Sequence, residues 1–157
     1  PRMRFDLSVN ILTNLAARKR EITVFGGKQM RPNLHIKDMC NFYEFLLEAD
    51  TKLVGNKTFN ISDENISIEN IALKIKDIFK NKYNLDILIK KVESEDDKRS
   101  YHLNSDKIKK ELNFDLKYSV DDAITDIYSL LQTGKFDDSL VNDIYYNIKT
   151  LKKLKIT

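Results

Sequence analysis

Apolar positions recur at three- and four-residue spacing in some stretches of this chain and alternate in others, and the two periods divide it into helices and short strands. From residue 6 to residue 18, Leu7, Ile11, Leu12 and Leu15 share one face. That predicts a helix capped by Asp6 and closed by Arg18, Lys19 and Arg20. The β-branched and aromatic run 22–25 predicts a strand ended by Gly26 and Gly27. Residues 28–31 read as a loop in which Pro32 holds Arg31 extended, and 34–36 as a second strand. Asp38 is then expected to cap a helix with Met39, Phe42, Phe45 and Leu46 on its apolar side, stopping near Asp50.

Further on, 54–57 reads as a turn, 58–61 as a strand and 62–65 as another turn. Ser67 caps a helix whose stripe is Ile68, Ile71, Ile75, Ile78 and Phe79. Residues 86–92 alternate, with Ile87 and Ile89 on one face and Leu88 and Lys90 on the other. A polar loop over 93–98 leads to a short extended piece, 99–103. Ser105 is expected to cap a small helix, 106–112, that Asn113 ends in the left-handed region. Ser119 caps a helix burying Val120, Ile124, Ile127 and Leu131 and ending at Gly134, and 138–155 reads as a last helical segment with a basic end.

The fold class that results is mixed α/β, rich in helix. Its strands are too short and scattered to form a good sheet alone, so they are expected to extend or cover another body. A length of 157 residues suits one domain or a lobe of a larger one. The 27 basic and 24 acidic residues nearly cancel, to a net +3, so neither a nucleic-acid nor a membrane partner is expected. In the tail, Lys149, Lys152, Lys153 and Lys155 alternate with Leu151, Leu154 and Ile156, the pattern of a solvated amphipathic helix. No apolar run reaches the ~20 residues of a membrane span. Cys40 stands alone, which gives no sign of an oxidising compartment, and no secretory segment follows Arg2 and Arg4, so a cytoplasmic location is expected. Opening at Pro1, directly before a helix, the sequence is expected to lack an upstream piece.

Chemistry is sparse. The four glycines form no dinucleotide or triphosphate loop. His35 and His102 lie far apart with no cysteine nearby, which argues against zinc. Cys40 reads as a small core residue. Tyr145 and Lys149 have the spacing of a dehydrogenase pair but stand in the tail, after no cofactor fold, and read as packing. What remains is the segment 25–38: a glycine turn, an arginine pre-aimed by the following proline, and a return into a helix. Glycines allow a ligand or another backbone to come close, and an oriented guanidinium suits two parallel bonds to phosphate oxygens.

That segment, Phe25-Gly26-Gly27-Lys28-Gln29-Met30-Arg31-Pro32 and on to Asp38, resembles the strand–glycine turn–Arg-Pro–helix stretch of the extended short-chain dehydrogenase/reductases, which include NAD-dependent nucleotide-sugar epimerases and dehydratases. The likeness continues in order. Pro1 resembles the proline of the family's Tyr-Gly-Pro turn, Thr58-Phe59-Asn60-Ile61-Ser62 its Asn-Ile strand, and Ser67 to Ile71 the helix start that follows. Asp97-Lys98-Arg99-Ser100-Tyr101 resembles its Asp-x-Arg-x-Tyr segment, Lys107 to Phe114 its Leu-Gly-Phe element, and Ser119 to Ile124 its last helix start.

The resemblance implies that Arg31 and Arg99 contact the diphosphate of a nucleotide sugar, that Val24 and Phe25 lie against the base, and that Asn60 and Tyr101 lie near the nucleotide. It implies a substrate-binding lobe over 1–135 and a helical tail over 136–157. The substrate would be a UDP- or dTDP-linked sugar. NAD(P) would be held by a Rossmann half, in cis or in trans, that also carries the catalytic Tyr and Lys, and the complete enzyme would be a homodimer. The chain alone would bind no cofactor and be inactive. Asn113 stands where the family has glycine, Lys37 replaces an acidic residue, and the tail from Phe136 has no counterpart. The competing expectation is a non-enzymatic nucleotide-binding or assembly module that docks on a partner through an apolar face.

Overall fold

The computed structural model describes residues 2–93 and 99–156. Its elements are α1 (Ser8–Lys19), β1 (Glu21–Phe25), β2 (Met30–Asn33), α2 (Ile36–Glu48), α3 (Thr51–Val54), β3 (Glu64–Ser67), α4 (Ile68–Tyr83), β4 (Leu88–Val92), α5 (Asp106–Leu112), α6 (Val120–Leu131), a 3₁₀ turn (Asp143–Tyr145) and α7 (Asn147–Lys153). The architecture is the mixed, helix-rich α/β expected. β1 pairs parallel with β4, Glu21 opposite Leu88 and Phe25 opposite Val92. β2 pairs antiparallel with β3, Met30 opposite Ser67 and Asn33 opposite Glu64.

The main core lies where α1, α4 and α6 meet β1. The α4 stripe reads as its spacing requires, with Ile71, Ile75, Ile78 and Phe79 all buried against Leu12, Ile22, Val24, Ile124 and Leu131. The Ser67 hydroxyl accepts from the Asn70 amide at 3.1 Å to start this helix, and Asn84, at φ 53°, ends it. Ile87 is buried while Leu88 is exposed, as the alternation of β4 demands. A smaller cluster of Phe42, Ile108 and Leu112, joined by Phe45, Phe59, Ile61 and Phe114, ties α2 to α5.

Several expectations are corrected. Asp6 does not cap α1, whose N-cap is Leu7 without a side-chain bond. Its carboxylate instead accepts from Arg4 at 3.0 Å and from the Asn147 amide, at the start of α7, at 2.8 Å. The second strand lies at 30–33 and not 34–36, because Met30–Asn33 is the stretch that finds a partner in β3. α2 therefore begins earlier, with His35 as its cap: Nδ1 accepts from the Lys37 amide at 3.2 Å. Asp38, freed from capping, is fully buried and accepts from the amides of Lys117 (3.1 Å) and Tyr118 (2.9 Å).

β3 overlaps the second half of the expected turn and runs on to Ser67, while 58–61 has no strand pairing among the described residues. Phe59 and Ile61 turn into the smaller cluster instead. Ser105 makes no cap bond; Asn104 Oδ1 accepts from the Asp106 amide, and the Ser105 hydroxyl donates to the Ser62 carbonyl. Cys40 is exposed, not core, because the inward face of α2 is the one carrying Asp38 and Phe42. The tail is two short helical pieces, not one. It is fastened to α1: Phe5 packs edge-on against Phe136 and Tyr145, Ser139 Oγ donates to Asn14 Oδ1 at 2.9 Å, and Arg18 donates to the Phe136 carbonyl at 2.9 Å. Tyr145 is thus a packing residue, and partial burial beside Asp138 raises its hydroxyl pKa.

Candidate functional site

A cleft of about 530 Å³ opens between the first turn of α1, β1, β2, the approach to α2 and the start of α6. Each wall has a local cause. β1 alternates, so Ile22 and Val24 enter the core while Thr23 and Phe25 face the cleft. Gly26 and Gly27 then reverse the chain at φ 68° and 100°, a region that favours glycine. At Gly27 a Cβ would come within 3.0 Å of Val24 Cγ1, so the turn packs tightly on the core. Gln29 fastens the turn from outside: its Oε1 accepts from the Gly27 amide at 2.7 Å and its Nε2 donates to the Phe25 carbonyl at 2.9 Å.

The turn delivers Arg31 to the cleft wall. Its guanidinium is oriented by the Met30 carbonyl (2.9 Å), by the Arg99 carbonyl and by the face of Tyr101, 5.3 Å away. The 99–103 piece is held alongside: Ser100 Oγ accepts from the Met30 amide at 3.0 Å, and the Asn65 side-chain amide both donates to and accepts from the Leu103 backbone at 2.9 Å. The structure thus brings Phe25, Arg31 and Tyr101 to one cleft, while Arg99 is outside the lining and meets Arg31 through its backbone carbonyl. It does not bring Val24, whose side chain is fully buried, nor Asn60, which is exposed and outside the lining. Pro1 and the Asp97 and Lys98 of the Asp-x-Arg-x-Tyr stretch lie outside the described residues.

Other lining groups were not singled out from the sequence. Thr23 could have been, because it shares the face of Phe25. Asn10 and Asp63 carry no local signal; they reach the cleft through the packing of α1 and the antiparallel pairing of β2 with β3. At Asp63, partial desolvation on the wall, with the charges of Glu64 and Asp38 nearby, raises the carboxyl pKa. At the far end His35 is buried, stacks on Tyr118 at 4.9 Å and lies 3.6 Å from Asp126. Among the described residues no group of His, Cys, Asp or Glu is placed to hold a metal ion.

No protein-family model matches the chain, and no curated protein matches it. Solved structures do. UDP-N-acetylglucosamine 4-epimerase from Bacillus cereus superposes with a TM-score of 0.65 at 24% identity, over 84% of this chain and 45% of that one. This is the fold of the C-terminal lobe of extended short-chain dehydrogenase/reductases. dTDP-glucose 4,6-dehydratase from Bacillus anthracis, solved with NAD, matches over 93% of this chain and 43% of its own (TM-score 0.62, 16% identity). L-threonine dehydrogenase from Clostridium difficile matches over 79% and 40% (TM-score 0.64, 21% identity). The chain therefore spans less than half the length of the structures whose lobe it shares.

Among the described residues the glycine turn does not form a dinucleotide cradle. Such a cradle needs a glycine turn that opens into a helix N-terminus, where amides and dipole meet the pyrophosphate. Here the glycine turn opens into β2, and the Gly27 amide and carbonyl are engaged by Gln29 and by the Glu69 amide.

Proposed function

We propose that this lobe binds the nucleotide diphosphate portion of a sugar nucleotide in the cleft between α1, β2 and α6, as the substrate-holding part of an NAD(P)-dependent epimerase or dehydratase. The observation that carries the reading is Arg31. Pro32 fixes its extended backbone, two carbonyls and an aromatic face orient its guanidinium, and it stands on the wall of a cleft large enough for a nucleotide. Arg99, whose backbone carbonyl accepts from the Arg31 guanidinium, lies close enough in this reading to offer a second cation to the diphosphate. Phe25, 56% exposed on the opposite edge of the glycine turn, offers a flat apolar face to a base. A uridine or thymidine diphosphate matches this pairing of one aromatic face with an oriented guanidinium. Two matching structures, the UDP-N-acetylglucosamine epimerase and the dTDP-glucose dehydratase, lend it support; the threonine dehydrogenases share the fold without sharing that substrate.

In this reading the lobe contributes binding and orientation, and hydride and proton transfer belong to a second, cofactor-holding half. Binding energy from the diphosphate and base would hold the sugar carbon in place for that chemistry. An apolar stripe on α2 supports the presence of such a body. Ile36, Tyr43 and Leu47 are 69%, 60% and 87% exposed and share one side of the helix with Cys40, while Phe42 is buried on the other. A helix apolar on two sides is suited to burial on both.

Calorimetric titration of the chain with UDP, UDP-N-acetylglucosamine and dTDP-glucose tests the proposal. Saturable binding is expected. Arg31→Ala should weaken it by about tenfold to a hundredfold, the value of a charge-assisted bond to phosphate, and Arg31→Lys should restore only part, since lysine lacks the planar fork. Binding unchanged in Arg31→Ala would remove the arginine from the site.

A further inference from the structure

The sequence pattern of the tail reads as a solvated amphipathic helix. The structure shows a solvated basic side but leaves the apolar side solvated as well. Val141, Ile144, Ile148, Leu154 and Ile156 are between 49% and 78% exposed, and Leu151 is 38% exposed. Ile148, Leu151 and Leu154 recur at three-residue spacing and so share one side of α7, and Ile144 stands exposed in the 3₁₀ turn just before it. Lys149, Lys152, Lys153 and Lys155 flank it. Set against Asp143, these four lysines account for the whole of the chain's formal net charge of +3, so residues 1–140 are balanced. Lys149 is engaged by Asp143 at 3.7 Å and lies over the Tyr146 ring; Lys152, Lys153 and Lys155 have no ion pair among the described residues.

The surface is held in place. Asp6 accepts from the Asn147 amide at 2.8 Å, Arg2 donates to the Ile144 carbonyl at 2.7 Å, and the Phe5 amide donates to the Tyr145 carbonyl at 2.9 Å. Thr150 Oγ1 donates back to the Asp143 carbonyl at 2.6 Å. The inward side of the tail is thus spent on the lobe, and what faces out is a fixed ridge of aliphatic side chains bordered by lysines.

We propose that this ridge is a docking surface for an anionic lipid bilayer, with Ile144, Ile148, Leu151 and Leu154 entering the interface and the lysines meeting lipid phosphates. Local charge excess and exposed aliphatic side chains on one ridge are what an anionic interface rewards together: the apolar atoms leave water while the ammonium groups stay at headgroup level. A nucleic acid would use the lysines and leave the aliphatic side chains in water. A second copy of the chain would bring like charges face to face. Contact would be peripheral, since no helix among the described residues is long and apolar enough to cross a membrane. The proposal stands on the tail alone and is independent of the nucleotide reading.

The test is flotation of the protein with vesicles of phosphatidylcholine alone and of equal parts phosphatidylcholine and phosphatidylglycerol, at low and high salt. Flotation with the anionic vesicles only, reduced by salt, is expected. Lys152→Glu with Lys153→Glu should weaken it by about tenfold or more, from roughly 1 kcal/mol per lysine at an anionic surface. Leu151→Ser with Leu154→Ser should weaken it with all lysines kept. Leu47→Ser, on the α2 stripe, should leave flotation unchanged, and each variant should keep the wild-type circular dichroism. No flotation, equal flotation with neutral vesicles, loss only in Leu47→Ser, or a tail variant that changes oligomeric state while vesicle binding persists would each overturn the proposal.

Discussion

The Asp38 carboxylate is buried with its oxygens turned to the amides of Lys117 and Tyr118, so it ties the first turn of α2 to the segment that leads into α6. His35, the cap of α2, and the first turn of α6 line the cleft. Asp38→Ala should therefore cost about 3 kcal/mol, because it removes charge-assisted bonds from a buried carboxylate to two part-buried amides, and denaturant unfolding would measure it. Arg31 was legible as the candidate anion ligand, since Arg-Pro fixes a direction whatever the surroundings. Asp38 was misread as a cap for a physical reason. Its residue type and place before an apolar helical run fit a cap, but His35, three residues earlier, already fills that role, and only the chain some 80 residues on shows where the carboxylate goes. Val24 and Phe25 are neighbours in sequence, but the alternation of β1 buries Val24 in the core and leaves Phe25 exposed at the cleft.

Helix starts with a complete local code were legible throughout. Ser67 caps α4, and Ser119 forms a full capping box with Asp122: Oγ accepts from the Asp122 amide at 3.2 Å, and the carboxylate accepts from the Ser119 amide at 2.9 Å. The Ser119 backbone amide and then its hydroxyl hold the Asp122 carboxyl below its ordinary range. A carboxyl lowered in the folded state adds stability that is fully present above its unfolded pKa and is lost as pH falls through the folded one. Chemical denaturation of wild type and Asp122→Asn should accordingly differ near neutrality and converge as pH drops below about 4. A gap that persists in acid would place the effect elsewhere. Short strands were less legible than caps, because strand pairing is settled by a partner distant in sequence. Both 58–61 and 64–67 can be extended, and β2 selected the second.

At the scale of the molecule, a core of α1, α4 and α6 supports a cleft on one side, an apolar helix stripe on α2 and a basic aliphatic ridge on the tail. The helix-rich α/β class followed from the two hydrophobic periods, and the match to the C-terminal lobe of extended short-chain dehydrogenase/reductases from the order of motifs, each weak alone. The cleft itself was not legible, since Asn10, Thr23, Arg31 and Asp63 come from four separate elements or loops that only the packed fold brings together. The central claim is that this cleft holds a nucleotide diphosphate. Backbone amide chemical shifts of the isotope-labelled chain, followed while UDP-N-acetylglucosamine is added, test it most directly. The account predicts saturable changes concentrated at Thr23, Phe25, Gln29, Arg31 and Tyr101, with α7 and the α2 stripe unmoved. Changes confined to the tail lysines or to α2, or none at saturating ligand, would contradict it.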